Sequence, residues 1–286
     1  MEIDTRFPTR LDTISDAPEP LRSGLAEYLP LGEPVRLLTH APALTSGEAR
    51  SPATLLAVTK SGWILVSGTE EGGASVEKSE FSETLFVELT SILLFGQLKI
   101  YFATVGTSYS VTINFDTVGE EVYREAIDLI LAGIDPALGN AAQKDRKEAS
   151  VLETWPIKFR CEAERYWPKG QHLLTAIRWP AILGGFKREL GPAGALLVTA
   201  RELVLISEEK SSPRQFTGDL HAFGGIVTFF PRVRLADFHV SHHEQFGVLA
   251  LQVHASHGGE KLEIIFPSHD EMVVLKALEE VLGSKR

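Results

Sequence analysis

The sequence predicts a mainly β protein built from two similar units, each a β-barrel with a C-terminal helix. The first observation is an internal repeat, since residues 98–131 align on residues 249–282 without a gap. In each copy, two stretches of alternating apolar residues flank a short turn that contains glycine, which is typical of a β-hairpin. Apolar residues at helical spacing follow. Each unit is therefore expected to end with a hairpin and one amphipathic helix.

A capping box predicts where this last helix begins. Thr117 stands three residues before Glu120, and Ser268 stands three residues before Glu271. In such a motif the hydroxyl accepts a hydrogen bond from a helix N–H, and the carboxylate reaches back to the N–H of the hydroxyl residue. The helices are expected to follow Thr117 and Ser268 directly.

The repeat also extends upstream of the closing hairpin. Residues 159–182 align on 21–44, and residues 198–207 align on 58–67, so the matching segments keep the same order. The offset between the copies grows along the chain from 138 to 151 residues. We infer an internal duplication whose second copy carries insertions, the largest of eleven residues before the closing hairpin.

The remaining elements of the first unit follow from local patterns. A short helix is expected over residues 18–29, because its leucines share one side and Pro30 ends it. A hairpin is expected around Lys60-Ser61-Gly62, which separates two apolar stretches. The predicted strands lie at 35–39, 55–59, 63–67, 76–81 and 85–92.

The order of these elements predicts the architecture. Helices between the strands are missing, which excludes a doubly wound parallel sheet. A closed or nearly closed antiparallel barrel, with the last helix over one open end, accounts for the pattern and removes exposed sheet edges. The predicted boundaries are a loose N-terminal arm at 1–17, a first unit at 18–133, a linker at 134–151 and a second unit at 152–286.

Composition and charge restrict the class of partner. The 286 residues are 44% hydrophobic and 23% charged, which are values of a globular protein. The net charge of −10 lies in the first half, because residues 1–133 contain 19 Asp and Glu against 9 Lys and Arg. Phosphate groups would be repelled by this half, so a nucleic-acid partner is not expected.

Several absences bear on location. No apolar stretch approaches the roughly 20 residues that a membrane-spanning helix needs, and residues 1–18 lack the apolar core of a secretory signal. The single cysteine, Cys161, excludes an internal disulfide. We therefore expect a cytoplasmic protein without a transmembrane segment.

Two parts of the repeat resemble a known family. The segment 55–67 (Leu-Leu-Ala-Val-Thr-Lys-Ser-Gly-Trp-Ile-Leu-Val-Ser), its copy at 196–207 and the strand–strand–helix ending at 98–131 are similar to bacterial pleckstrin-homology-like (PH-like) and GRAM-type domains. The resemblance covers about residues 18–282 as two tandem domains. It implies a binding or assembly scaffold, since some members bind phosphoinositides and others bind proteins or self-associate, and catalysis is not typical.

The expected function is that of a non-enzymatic interaction or assembly module. Its partner would be another protein or a second copy of the chain. No catalytic or cofactor-binding motif occurs, and Cys161 aligns with Ser23 of the first copy, which favours a structural role. No enzyme activity and no cofactor are expected.

One alternative is the binding of lipid headgroups at a membrane surface. In lipid-binding relatives of this kind, the loop between the first two strands carries several cations. The second unit has Phe186, Lys187 and Arg188 in this loop, where an apolar tip with two cations could contact a headgroup. The first unit has only Arg50 there, next to acidic Glu48.

A weaker alternative is metal binding by histidine. His239, His242 and His243 lie in the inserted region of the second unit, and imidazoles are common ligands of zinc. Their spacing fits poorly, because residues three apart on a strand point to opposite faces. No bound metal is therefore expected.

Overall fold

The computed structural model describes residues 7–46, 49–136, 150–168, 171–185, 189–208, 224–243 and 246–282. Over these residues the chain is mainly β, as predicted. It divides into two compact units: unit 1 contains residues 1–136 and 255–258, and unit 2 contains residues 137–254 and 259–286.

Unit 1 runs from a short strand and a helix, through antiparallel strands, to a long helix. Its elements are β1 (Thr9–Arg10), α1 (Leu21–Tyr28), β2 (Val35–Ala41), β3 (Leu44–Ser46), β4 (Ala49–Ser51), β5 (Thr54–Thr59), β6 (Gly62–Gly68), β7 (Ala74–Glu80), β8 (Thr84–Ile92), β9 (Phe95–Thr104), β10 (Thr107–Asp116) and α2 (Glu120–Ile134). One sheet has the order β1-β2-β5-β6-β7, and β8, β9 and β10 pair in sequence. The two hairpins predicted at 55–67 and 98–115 are thereby confirmed.

Unit 2 contains two helices, a series of antiparallel strands and a closing helix. Its elements are α3 (Ser150–Glu153), α4 (Ile157–Tyr166), β11 (Leu173–Trp179), β12 (Ile182–Leu183), β13 (Glu189–Gly191), β14 (Gly194–Thr199), β15 (Glu202–Glu208), β16 (Gly224–Pro231), β17 (Leu235–His242), β18 (Phe246–Ala255), β19 (Gly258–Pro267) and α5 (Glu271–Leu282). The pairing order is β11-β14-β15-β16, and β17, β18 and β19 pair in sequence.

The predicted closed barrel is wrong for the described residues, whose sheets stay open. In unit 1, closure would require β10 to pair with β2. β2 instead pairs with β5, and with β1 at Thr39 and His40, while β10 ends its ladder among the described strands. A C-terminal helix is nevertheless present in each unit, as expected.

The N-terminal arm is not loose over residues 9–17, contrary to the prediction. β1 pairs with β2, and the Leu11 N–H donates to the Leu38 carbonyl at 2.8 Å. Leu11 and Ala17 are buried in the same cluster as Leu21 of α1. These apolar side chains hold the arm, because leaving them in water would cost free energy. Residues 1–6 lie outside the described part.

The predicted capping box is also wrong in unit 1. A 3-10 turn at Thr117–Gly119 precedes α2, and the Asp116 carboxylate accepts a hydrogen bond from the Val118 N–H at 2.9 Å. The Thr117 hydroxyl instead donates to the Leu93 carbonyl at 2.7 Å. Glu120 accepts a hydrogen bond from the Ser91 hydroxyl at 2.9 Å. Both box residues are therefore bonded to the β8–β9 region.

A buried threonine shapes the β5–β6 turn of unit 1. The Thr59 Oγ1 accepts from the Gly62 N–H at 3.1 Å and donates to the Gly62 carbonyl at 3.2 Å. Glu33, from the loop after α1, accepts hydrogen bonds from the Ser61 N–H and hydroxyl, both at 3.0 Å. The hydroxyl thus replaces water for buried backbone groups of the turn.

The β14–β15 turn of unit 2 has the same construction. The Thr199 Oγ1 accepts from the Glu202 N–H at 2.9 Å and lies 3.0 Å from the Glu202 carbonyl. Gln171, from the loop after α4, contacts the Thr199 hydroxyl at 2.6 Å. The linker predicted at 134–151 falls mainly on residues 137–149, outside the described part, and stays a prediction.

Candidate interaction surface

The loop predicted to contact lipid headgroups lies outside the described residues. Phe186, Lys187 and Arg188 are therefore not placed, and their role stays a prediction. The loop is carried by the β12–β13 hairpin, in which Ile182 pairs with Gly191. Ile182 is buried, so the hairpin has an anchored base.

The three candidate metal-binding histidines do not converge. His239 is exposed on β17, whereas His242 Nδ1 lies 3.0 Å from Oε2 of Glu271. The ring of His243 lies beside Phe246, with the ring centroids 4.9 Å apart. Within the described part of the chain, no three His, Cys, Asp or Glu side chains are grouped as a metal site would need.

Unit 1 has a groove of about 240 Å³ where β1 diverges from β2. It is lined by Arg10–Ile14 and Val35–Leu38. Small-molecule pockets are usually larger, roughly 300–1,000 Å³. Arg10 is already paired with Glu125 at 2.8 Å, and Thr13 bonds to Asp16. The groove therefore offers few polar groups for a ligand.

One exposed apolar surface of unit 1 is the two-residue turn between β8 and β9. Ile92 pairs with Phe95, so Leu93 and Leu94 form the turn. The Thr117 N–H donates to the Leu94 carbonyl at 3.1 Å, and the Thr117 hydroxyl donates to Leu93. These two bonds attach the turn to the start of α2.

The side chains at this place are apolar and face solvent. Leu93, Leu94 and Val118 are 53%, 70% and 67% exposed. We call these three residues the leucine surface. Val118 directly follows Thr117, so the hydrogen bonds of Thr117 bring it close to the turn. Although Val118 has the helical spacing of the apolar residues that follow, it lies in the 3-10 turn before α2 and not on the helix.

Leu93 also has an unfavourable backbone conformation. Its φ is +53°, in the left-handed region where side chains with a Cβ are strained. Two-residue hairpin turns normally place Gly, Asn or Asp at such positions. A glycine would remove both the strain and the exposed apolar side chain. A bulky residue kept under such strain is a recognised sign of a functional position.

Two acidic residues lie close to Val118 along the chain. Asp116 caps the turn that carries Val118, and Glu121 is an exposed residue in the first turn of α2. Glu121 pairs with Arg124 at 2.9 Å, on the solvent side of the helix. The surface therefore combines apolar contact area with negative charge.

The sequence alone does not predict the leucine surface. Residues 92–95 (Ile-Leu-Leu-Phe) form an apolar run between two alternating stretches and contain none of the usual turn residues. Such a run is typical of a buried strand, so it does not indicate a turn.

Neither a protein-family model nor a curated protein matches the chain. In the described residues, no helix is both long enough and apolar enough to cross a membrane.

Proposed function

We propose that the chain is a non-enzymatic interaction module of two PH-like units, with the leucine surface as its binding site for another protein. The observation that carries the proposal is Leu93. Its side chain is exposed and apolar, its backbone is strained, and the hydrogen bond from Thr117 holds it in place. Neither solvation nor local backbone conformation favours a leucine at this position. We therefore infer that the Leu93 side chain contacts a partner protein.

The order of elements supports two units that arose by duplication. After α1 in unit 1 and after α4 in unit 2, the chain forms one strand, a short hairpin, a run of antiparallel strands and a final helix behind a 3-10 turn. Thr59 and Thr199 make the same turn bonds, with Glu33 and Gln171 reaching in from the loop that follows the first helix.

Two further pairs of contacts recur at the offset of 151 residues. A Cβ on Gly96 would overlap the ring of Phe115, and a Cβ on Gly247 would overlap the ring of Phe266. Glycine is thus required at both places by an approaching aromatic ring. The other recurring pair joins Ser91, near the end of β8, to Glu120, and His242, at the end of β17, to Glu271.

The partner is defined by the chemistry of the surface. Leucine and valine side chains bury apolar area, and the nearby Asp116 and Glu121 favour cations. We therefore expect a protein segment that places a large apolar side chain between Lys or Arg residues. The exposed Cys161 is reduced in this proposal, which fits the cytoplasm.

The experiment is selection from a random-peptide phage library on the immobilised full chain. We expect enriched peptides with an apolar residue flanked by Lys or Arg. Their affinity should fall about tenfold or more in Leu93→Asp/Leu94→Asp, because charges replace the apolar contact.

A matched control replaces exposed apolar residues elsewhere. Met272 and Val273 are exposed at the start of α5 in unit 2, so Met272→Asp/Val273→Asp should leave the affinity unchanged. Enriched peptides that bind the Leu93/Leu94 variant as well as the wild type would overturn the proposal.

A further inference from the structure

We propose that two copies of the chain associate through β10, with the two strands antiparallel and adjacent. This inference goes beyond the proposed function, because it uses a different surface. β10 pairs with β9 over residues Thr107–Asp116 without a break in register. It ends its sheet among the described strands. The outer backbone groups of an edge strand can pair with another chain.

Other edge strands carry the features that prevent such pairing. Natural proteins protect edges with charged residues, proline or bulges. β7 contains Glu77, Lys78 and Glu80, and β19 contains Glu260, Lys261 and Glu263. β11 carries Arg178 and a register shift.

β10 lacks these protections. Residues 107–115 (Thr-Ser-Tyr-Ser-Val-Thr-Ile-Asn-Phe) contain neither a charged residue nor proline. The strand is ten residues long and regular. An edge that is long, regular and uncharged favours association.

Most exposed side chains of β10 lie in its first half. Thr107, Tyr109, Ser110 and Thr112 have exposed side chains. Further along, the Asn114 Nδ2 donates to Ser51 Oγ at 2.7 Å, so that end of β10 is held against the β3–β4 hairpin. Pairing is therefore expected over residues 107–112.

The lack of charge on residues 107–115 makes a second copy a suitable occupant, because identical strands can pair there without like charges meeting. Residues 1–133 contain ten more acidic than basic residues, so most surfaces of unit 1 would repel the same surface of another copy. The uncharged β10 segment is where two such units can approach. A two-fold axis would pair this segment with the same segment of the other copy. Thr, Ser, Tyr and Val form favourable cross-strand pairs.

Tyr109 contributes contact area to this pairing. It is half exposed, and its ring lies near that of Phe102, with the ring centroids 5.9 Å apart. A ring that is partly held by its own unit loses little entropy on binding.

The test is sedimentation velocity of the full chain from low to high micromolar concentration. We expect the wild type to change from the monomer mass of 31.4 kDa to twice that mass. Ser110→Glu/Thr112→Glu should raise the dissociation constant about tenfold or more, because like charges would face each other across the axis. Ser75→Glu/Gln252→Glu, which adds the same charge at exposed positions on β7 and β18, should dimerise like the wild type.

A second measurement does not depend on any variant. Hydrogen exchange of wild-type amides in residues 107–112 should slow at high concentration. A wild type that stays monomeric throughout, or a glutamate variant that keeps its dimer, would overturn the inference. Leu93→Asp/Leu94→Asp should still dimerise, so failure here is distinguishable from failure of the proposed binding surface.

Discussion

The imidazole Nδ1 of His242 lies 3.0 Å from Oε2 of Glu271, and this pair occupies the place of Ser91 and Glu120 in the other unit. In both units, the end of a strand is joined to the first carboxylate of the final helix. The environments differ, because Glu120 is only 2% exposed, whereas His242 is more than half exposed. A histidine proposed for metal binding therefore has a structural partner.

Removal of the buried Ser91–Glu120 hydrogen bond should lower the free energy of unfolding more than removal of the exposed His242–Glu271 contact. In Ser91→Ala, the buried Glu120 carboxylate loses a hydrogen-bond donor, so the free energy of unfolding should fall by about 1–2 kcal/mol. In His242→Ala the pair is exposed, and the loss should stay below about 1 kcal/mol. Urea denaturation measures both, and equal losses would contradict the assignment of different environments.

A methyl group at Gly96 should destabilise unit 1. The ring that it would meet belongs to Phe115, which stacks on Tyr123 with a centroid distance of 4.2 Å and cannot easily move away. Gly96→Ala should therefore cost about 1–3 kcal/mol of unfolding free energy. In Gly68→Ala the new Cβ would make an ordinary contact with the Ala53 carbonyl, so this control should be neutral in the same thermal or urea melts.

The stability of unit 1 should fall at acidic pH because of His40. Its burial in β2 lowers the pKa of the imidazole. The unfolded chain, with a pKa of about 6.5, binds a proton before the folded chain does, so protons favour unfolding as the pH falls below about 6.5. His40→Gln should flatten the pH dependence of the free energy of unfolding. The measurement is urea denaturation at several pH values, followed by the tryptophan fluorescence to which the buried Trp63 contributes. The exposed His239→Gln is the control, and an unchanged slope in His40→Gln would argue against the explanation.

Vesicle binding tests the role of the β12–β13 loop. If Phe186, Lys187 and Arg188 contact lipid headgroups, the chain should sediment with phosphoinositide vesicles at low salt, and Lys187→Glu/Arg188→Glu should abolish this. Arg50→Glu, in the corresponding loop of unit 1, should have no effect. Absence of sedimentation at low salt would dispose of the lipid alternative.

The strands of this protein could be predicted because their signal is local. Alternation of apolar residues at 98–102 and 111–115 records which side of each strand is buried, and both strands are present. Gly96, near the start of β9, pairs with Phe115, near the end of β10, and lies against its ring. Such neighbours along one hairpin are set by short-range pairing.

The leucine surface could not be predicted in this way. Its turn conformation depends on Thr117, which is 24 positions beyond Leu93. The same bond removes the Thr117 hydroxyl from the expected capping box. Local sequence shows that Thr117 has a hydroxyl group, but it does not show which acceptor will be closest after folding.

The amino-acid sequence by itself determined the longer strands of unit 1, the final helices and the acidic character of the first half, since these depend on periodicity and composition. Only the tertiary structure decided that the sheets stay open, that the arm packs on α1, and that Leu93 and Val118 face solvent. These outcomes depend on competition between partners far apart in the chain, as when β1 and β5 pair with β2 and β10 ends its ladder among the described strands.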